Sequence, residues 1–540
     1  MKIDSKNQIW LVSGLLVILA LIPRIVDLTG HSAFYDETMW LYRGGYLFDN
    51  LFVHFDLNSL QNGWWADHNL VALGLPVAML VGIFQKLLAV GSPSYSLGIY
   101  DLLGASRFPL VIVGALTPAA VYYFMQKLGH AKIGFLAALL IALDPVHVGL
   151  SRWAHQDVFL TLSFVVAIFS FLLYEKTEKP LWRNLLITGL VLGFLTKFNM
   201  LIALPILLIW KVWKLWHDHD RKWKFKNFVP GLFNRRYGWI VLWSWILVML
   251  LWTGVWTAFP PYTFATYFIK QLGVTATFDH TTFYLGQITS DPAWHYYLII
   301  LGIRLTEVTI LGFFLGIYIW WKKKRGDIDL WTLLWIWAIV YVVVMSIAHK
   351  KLEVRYVLPV YPVIMIFAAW GLLATIRRLL LASSHIHGLK VLGADNFPVI
   401  LVTVLIVAYN LPILNFYSPS YYLYYNLLAG GTPGAVRYTA IGVDEGLKQA
   451  ALYAKEHYKK DTKFVLIGSQ TPFRYYYNLD DKHLFGNFDE HKKDATVVMV
   501  ERNRVQRSDS ELLEKLEKWG NLSYIVNIAG VDLVYFYEKK

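Results

Sequence analysis

Cysteine is missing from all 540 residues, which rules out disulfides, thiolate metal sites and cysteine nucleophiles together. Charge is scarce: Asp, Glu, Lys and Arg make up 16% of the chain, against 56% hydrophobic residues. No soluble domain of this length has that balance, and several runs approach the roughly 20 apolar residues that cross a bilayer. The chain therefore reads as a polytopic helical membrane protein. Internal repeats and low-complexity tracts are also absent. The first apolar run lacks a small-residue cleavage site and is read as an uncleaved span.

What the chain has in plenty is aromatic: 23 Trp and 33 Tyr suit the belts that form at both faces of a membrane. Expected spans are Gln8–Val26, Arg107–Gln126, Ile133–Leu150, Val158–Tyr174, Leu185–Leu195, Met200–Val212, Trp239–Ala258, Tyr296–Trp321, Leu330–Ile347, Val357–Ile376 and Pro398–Leu414. The net charge of +13 gathers in short loops between them, at Lys127–Lys132, Lys176–Arg183, Lys211–Arg236, Lys322–Arg325 and Arg377–Arg378. Such loops orient a membrane protein rather than bind a polyanion, so nucleic acid is not an expected partner. They share one side only if 185–212 crosses twice and Leu70–Val90, interrupted by Gly74, Pro76 and Gly82, does not cross. That segment then lies beside the membrane within the first external loop, 31–104. The expected architecture is an all-α polytopic bundle of about 11 transmembrane helices over 1–416, with the N-terminus inside.

From about residue 417 to 540 the pattern changes to a small extracytoplasmic α/β domain. Asp444–Tyr458 and Ser510–Trp519 read as helices, and Lys463–Ile467 and Ala495–Val500 as short buried strands. Leu522–Ile528 and Val531–Tyr537 read as a hairpin around Ala529-Gly530. This domain carries no phosphate loop and no His/Asp/Glu cluster at metal-ligand spacing.

Three charged places fall on the expected outer face. Asp36 and Glu37, flanked by aromatics, follow the first span directly, and acids at a membrane surface are functional suspects. Asp157 stands at the external edge of another span, where a helix-capping role is the plain alternative. His349-Lys350-Lys351-Leu352-Glu353-Val354-Arg355 is basic on the side where the other loops are not, which an anionic headgroup would explain. Arg304 and Glu307, at i and i+3, are expected to pair within the bundle. A carboxylate could act there as general base on a hydroxyl while cations receive a departing phosphate.

The order of these features resembles the C-type superfamily of integral-membrane glycosyltransferases. It is most similar to the branch of protein O-mannosyltransferases and lipid A aminoarabinose transferases (glycosyltransferase family 39 and relatives). Tyr35-Asp36-Glu37 looks like the acidic motif of that family's first external loop. Ala66-Asp67-His68 sits where the family often has a basic residue and paired prolines, here replaced by Asn69-Leu70. Arg107-Phe108-Pro109 through Leu150-Ser151-Arg152 to Asp157 resembles its two-span core with an acidic second loop. His349-Lys350 through Arg355-Tyr356-Val357-Leu358-Pro359-Val360-Tyr361-Pro362 resembles its late loop. Gly442-Val443-Asp444-Glu445-Gly446 resembles the start of the C-terminal domain in prokaryotic members.

The resemblance implies inverting transfer of a sugar from a polyprenyl-phosphate donor to a hydroxyl of a protein or lipid acceptor, in the cell membrane. It implies Asp36 as the base, Glu37 orienting it or the sugar, and Asp157 holding sugar or acceptor hydroxyls. His68, Lys350, Lys351 and Arg355 would bind the donor phosphate. No cofactor is assigned and no residue is assigned to a metal, although a divalent ion is left open. Besides donor and acceptor, the expected partners are membrane lipids. The competing reading is a transporter or lipid flippase of the cell-envelope pathway, which would place ionisable groups nearer the midplane and in repeats. A third is a non-enzymatic scaffold presenting the C-terminal domain.

Overall fold

Every apolar run expected to cross the bilayer overlaps a helix in the computed structural model. The structure describes residues 5–56, 73–88, 101–218, 231, 234–252, 269, 281–323, 328–348, 351, 353–383, 396–479, 482–508 and 511–540. Among them, 7 helices are long and apolar enough to span, or 8 if the bent pair Ala131–Leu143 and Pro145–Ser151 counts as one. The expected number was larger for local reasons. Pro180–Thr196 is a shorter apolar helix, and Arg235–Leu251 covers only part of its expected run. Leu75–Leu88, expected beside the membrane, is likewise a short apolar helix of 14 residues. Helices are what lipid demands, since they satisfy every backbone polar group within one segment.

The bent pair has an identifiable cause. Pro145 cannot donate to the preceding turn, so the helix stops at Leu143 and restarts at a bend of 63°. Asp144 caps the restart, its Oδ1 accepting from the His147 amide at 2.8 Å. The chain then turns at Arg152, whose guanidinium donates to the carbonyls of Val26 and Asp27 at 2.6 and 2.5 Å. In this way the turn after Ser151 is tied to the end of the first helix, Ser5–Ile25.

The expected run Tyr296–Trp321 is two helices, Tyr296–Arg304 and Glu307–Lys323, and the expected Arg304–Glu307 ion pair does not form. Arg304 instead donates to the carbonyls of Tyr422 and Tyr424, both at 2.8 Å, and lies 4.3 Å from the rings of Tyr422 and Tyr425. Glu307 accepts from the Leu427 amide at 2.6 Å and from the Tyr409 hydroxyl. Each charge satisfies groups from the segment after the last span, which outweighs helix continuity at Leu305.

Glu307–Lys323 packs closely on Tyr361–Ser383 because glycines leave room. A Cβ built on Gly371 would stand 2.0 Å from the Gly312 carbonyl oxygen and 2.4 Å from the Gly316 nitrogen. Small residues at such contacts let backbones approach within a membrane. Gly371→Leu is expected to force the pair apart and cost about 1–3 kcal/mol or more, read as a lowered thermal midpoint of the purified protein. An unchanged midpoint would mean that the two helices are not in contact.

After a small hairpin of β1 Thr282–Tyr284 and β2 Gln287–Thr289, the C-terminal residues form a sheet of five strands, β3 Phe464–Ile467, β4 Leu484–Phe485, β5 Val497–Glu501, β6 Gly520–Ile528 and β7 Val531–Lys539, in the order β4-β3-β5-β7-β6. Strands β3, β4 and β5 are parallel, whereas β7 runs antiparallel to both β5 and β6. Ala529 and Gly530 turn the hairpin at φ 53° and 78°, the left-handed pair that two-residue hairpins use. Three buried acids stand close together in this region. Burial pushes Asp444 up to about 6, Glu445 up to about 7 and Glu501 up to about 8. Each holds its proton more tightly folded than unfolded, so the stabilisation is complete below the ordinary carboxylate range and lost as pH rises through these values. The thermal midpoint is therefore expected to fall between about pH 5.5 and about pH 8.5; a rise over that interval would contradict the assignment.

Candidate active site

The site is built around the start of the helix Tyr35–Phe48. Asp36 and Glu37 occupy its first turn, where carboxylates offset the helix dipole. Successive residues on a helix point about 100° apart, so the two acids face different surroundings. Glu37 faces inward and is fully buried. Its Oε1 accepts from Arg107 Nε at 2.9 Å and from the Ala154 amide at 2.7 Å. Its Oε2 accepts from Arg107 Nη2 at 2.7 Å and from the Phe34 amide at 2.9 Å. A carboxylate has about four acceptor sites, and all of them are taken. Arg107 in turn donates to the carbonyls of Leu28 and Ser32 at 2.8 and 3.0 Å. This pair therefore fixes the segment 28–37 against the turn at Ala154.

Asp36 is the more open of the two, with its side chain 34% exposed. Its Oδ2 lies 3.0 Å from Arg355 Nη1, although 319 residues separate them. Arg355 enters on the short 3-10 segment Val354–Val360, and its guanidinium also stands 5.0 Å from the Phe34 ring and 3.5 Å from Glu353 Oε2. Glu353 is held by the Tyr422 hydroxyl at 2.8 Å.

Between the two expected acids stands His155. Its Nε2 is 3.2 Å from Arg355 Nη1 and 3.8 Å from Asp36 Oδ2, and its Nδ1 is 2.8 Å from Asp157 Oδ2. Since the guanidinium can only donate, Nε2 takes the acceptor role and the ring proton sits on Nδ1 toward Asp157. The other oxygen of Asp157, Oδ1, accepts from Lys197 Nζ at 2.6 Å, and Lys197 lies 4.4 Å from the Tyr356 ring. Asp36, His155, Asp157, Lys197, Arg355 and Glu353 thus form one chain of contacts, with His155, Asp157 and Arg355 buried, Lys197 and Glu353 partly exposed, and Asp36 the most open.

Of the expected phosphate ligands, Arg355 is in this chain. Lys351 is paired with Asp291 at 2.9 Å, just after the small hairpin of β1 Thr282–Tyr284 and β2 Gln287–Thr289. His68 and Lys350 lie outside the described residues. Sequence reasoning missed His155, Lys197 and Glu353 as members of the site. Lys197 had a legible signal, a lone cation between two apolar runs. His155 had only its place two residues before Asp157. Among the described residues no three His, Asp or Glu side chains are arranged to hold a metal. Arg355 and Lys197 each occupy one oxygen of the two carboxylates, Oδ2 of Asp36 and Oδ1 of Asp157.

Two family models match the chain. Residues 100–252 match dolichyl-phosphate-mannose-protein mannosyltransferase, and residues 291–427 match the Alg9-like mannosyltransferase family. No curated protein matches. Among solved structures, the oligosaccharyltransferase of Archaeoglobus fulgidus in the apo form aligns with 13% identity over 96% of this chain and 73% of its own, at a TM-score of 0.51. ArnT of Cupriavidus metallidurans bound to undecaprenyl phosphate aligns with 14% identity over 99% and 98%, at a TM-score of 0.46. The likeness to the first is one of fold.

Proposed function

We propose that this chain, an integral-membrane glycosyltransferase with the C-type fold, moves a sugar from a polyprenyl-phosphate carrier to a hydroxyl of a protein or lipid acceptor at the outer membrane face. The observation that carries the reading is the meeting of Asp36 and Arg355 at 3.0 Å, an acid that can take a proton beside a cation that can take a phosphate. The description of the family matched by residues 100–252 supports a dolichyl-phosphate type of donor and a mannosyl type of sugar.

In the proposed step the acceptor oxygen attacks the anomeric carbon, and the bond from that carbon to the phosphate oxygen breaks. The hydroxyl proton goes to Asp36, and the electron pair of the broken bond leaves with the lipid phosphate, so the anomeric centre inverts. A phosphate leaving group has low proton affinity and needs no general acid; one positioned base and a charge clamp suffice. Arg355 supplies the clamp by exchanging its carboxylate partners for the phosphate, and His68, Lys350 and Lys351 are assigned to the same anion. Glu37 holds the loop that presents Asp36. Asp157 orients His155 and Lys197, and through them the sugar or acceptor hydroxyls.

The test is a membrane preparation containing the full chain, supplied with radiolabelled mannosyl-phosphoryl-polyprenol. Label moving onto protein or lipid, and lost in Arg355→Met, is the expected result. Label that only changes leaflet would replace the transferase reading with a flippase.

A further inference from the structure

The helix that carries Asp36 has only half a cap of its own: Glu37 Oε2 takes the Phe34 amide at 2.9 Å. The Phe34 side chain cannot accept a hydrogen bond, so the N-cap position offers nothing to the amides that follow it. The Tyr35 amide finds an acceptor 409 residues away, donating to Asp444 Oδ2 at 2.6 Å. A carboxylate in that position also meets the positive end of the helix dipole. Its other oxygen accepts from the Ser469 hydroxyl. Neighbouring contacts run the same way. The Ala33 amide donates to the Tyr476 hydroxyl at 3.0 Å, and the Lys448 amide donates to Ser32 Oγ at 3.0 Å. Lys448 Nζ donates to the Thr29 carbonyl at 2.8 Å.

Asp444 is buried and adopts φ 61°, the left-handed region that L-residues with a side chain seldom occupy. Strain of this kind persists only where the surroundings over-determine it. The sheet does not need this carboxylate for its ladder, since β3 and β5 pair without it. The conformation does serve one contact that leaves the C-terminal region, the one to the residue before Asp36.

We propose that Asp444 is a positioning residue for the transfer reaction: it caps the helix bearing Asp36 from outside and sets where that carboxylate stands. This rests on the reading in which Asp36 takes the acceptor proton. The C-terminal α/β region is then part of the catalytic unit, gripping 29–35 while Arg107 and Glu37 hold the same loop from below.

The experiment uses the full chain in lipid nanodiscs, as wild type, Asp444→Ala and Asp444→Asn. Hydrogen–deuterium exchange is followed at residues 33–36 and in β3 and β5, with mannosyl transfer from mannosyl-phosphoryl-polyprenol measured alongside. Asp444→Ala is expected to speed exchange at 33–36 about tenfold, leave β3 and β5 protected, and lower kcat about tenfold with the donor KM unchanged. Asp444→Asn keeps a carbonyl acceptor for the Tyr35 amide and is expected to recover most of both. Unchanged exchange at 33–36 overturns the proposal, as does equal loss of protection in the strands. A wild-type protein that transfers no mannose, while Asp444→Ala still frees the loop, overturns the sugar-transfer reading and not the cap.

Discussion

Asp36→Asn is expected to lower transfer from a polyprenyl-phosphate sugar by about 10³-fold, at unchanged expression and thermal midpoint. The amide has the shape of the acid but cannot take a proton from the attacking hydroxyl. The fold should tolerate it, because the Asp36 side chain is 34% exposed and an amide oxygen in its place can still accept from Arg355. Arg355 also keeps Glu353 and His155 as neighbours when the charge at 36 is removed. Measured with saturating donor, the loss should appear in kcat rather than in donor affinity. Full activity in Asp36→Asn would end the base assignment, and the transfer chemistry would have to start from another acid.

Arg107→Met should do the opposite: damage the fold first. Both partners of the Arg107–Glu37 pair are fully buried, at 2.7 Å. Removing the cation leaves a carboxylate with no countercharge in a dry site, a change that typically costs about 3–5 kcal/mol. The expected outcome is a large drop in the thermal midpoint and in the monodisperse fraction after solubilisation. Glu37→Gln should be milder, since the amide oxygen still accepts from Arg107. Arg107→Met with Glu37→Leu should recover part of the loss, because an apolar pair no longer strands a charge. Equal midpoints for wild type and Arg107→Met would show that the pair is not buried as described.

Much of the helical frame was legible because apolar runs of the right length have one stable form in lipid. The hairpin at Ala529-Gly530 was legible because two adjacent positions admit a left-handed turn between alternating runs. Asp36 and Arg355 were picked out separately, by chemistry and by sidedness, and the fold brings them to 3.0 Å. What escaped was pairing over distance. The i,i+3 spacing of Arg304 and Glu307 spelled a helix face, yet the carbonyls that hold Arg304 come from residues 422 and 424. Glu37 and Arg107 were each quoted as parts of motifs, but nothing local says that one saturates the other. His155 carries no pattern at all; only the bend at Pro145 and the turn after it bring its ring to Asp36.

The external cap on the helix of Asp36 bears on the order in which the protein is made. Ribosomes deliver residue 36 to the membrane early, whereas the groups that hold its loop, at 444, 448 and 476, emerge near the end of translation. Until then the amide of Tyr35 has only solvent or headgroups to bond. A nascent chain can thus be threaded through the bilayer before the carboxylate assigned as base is aimed, and the proposed cap predicts activity only once its tail has come back to fasten its head.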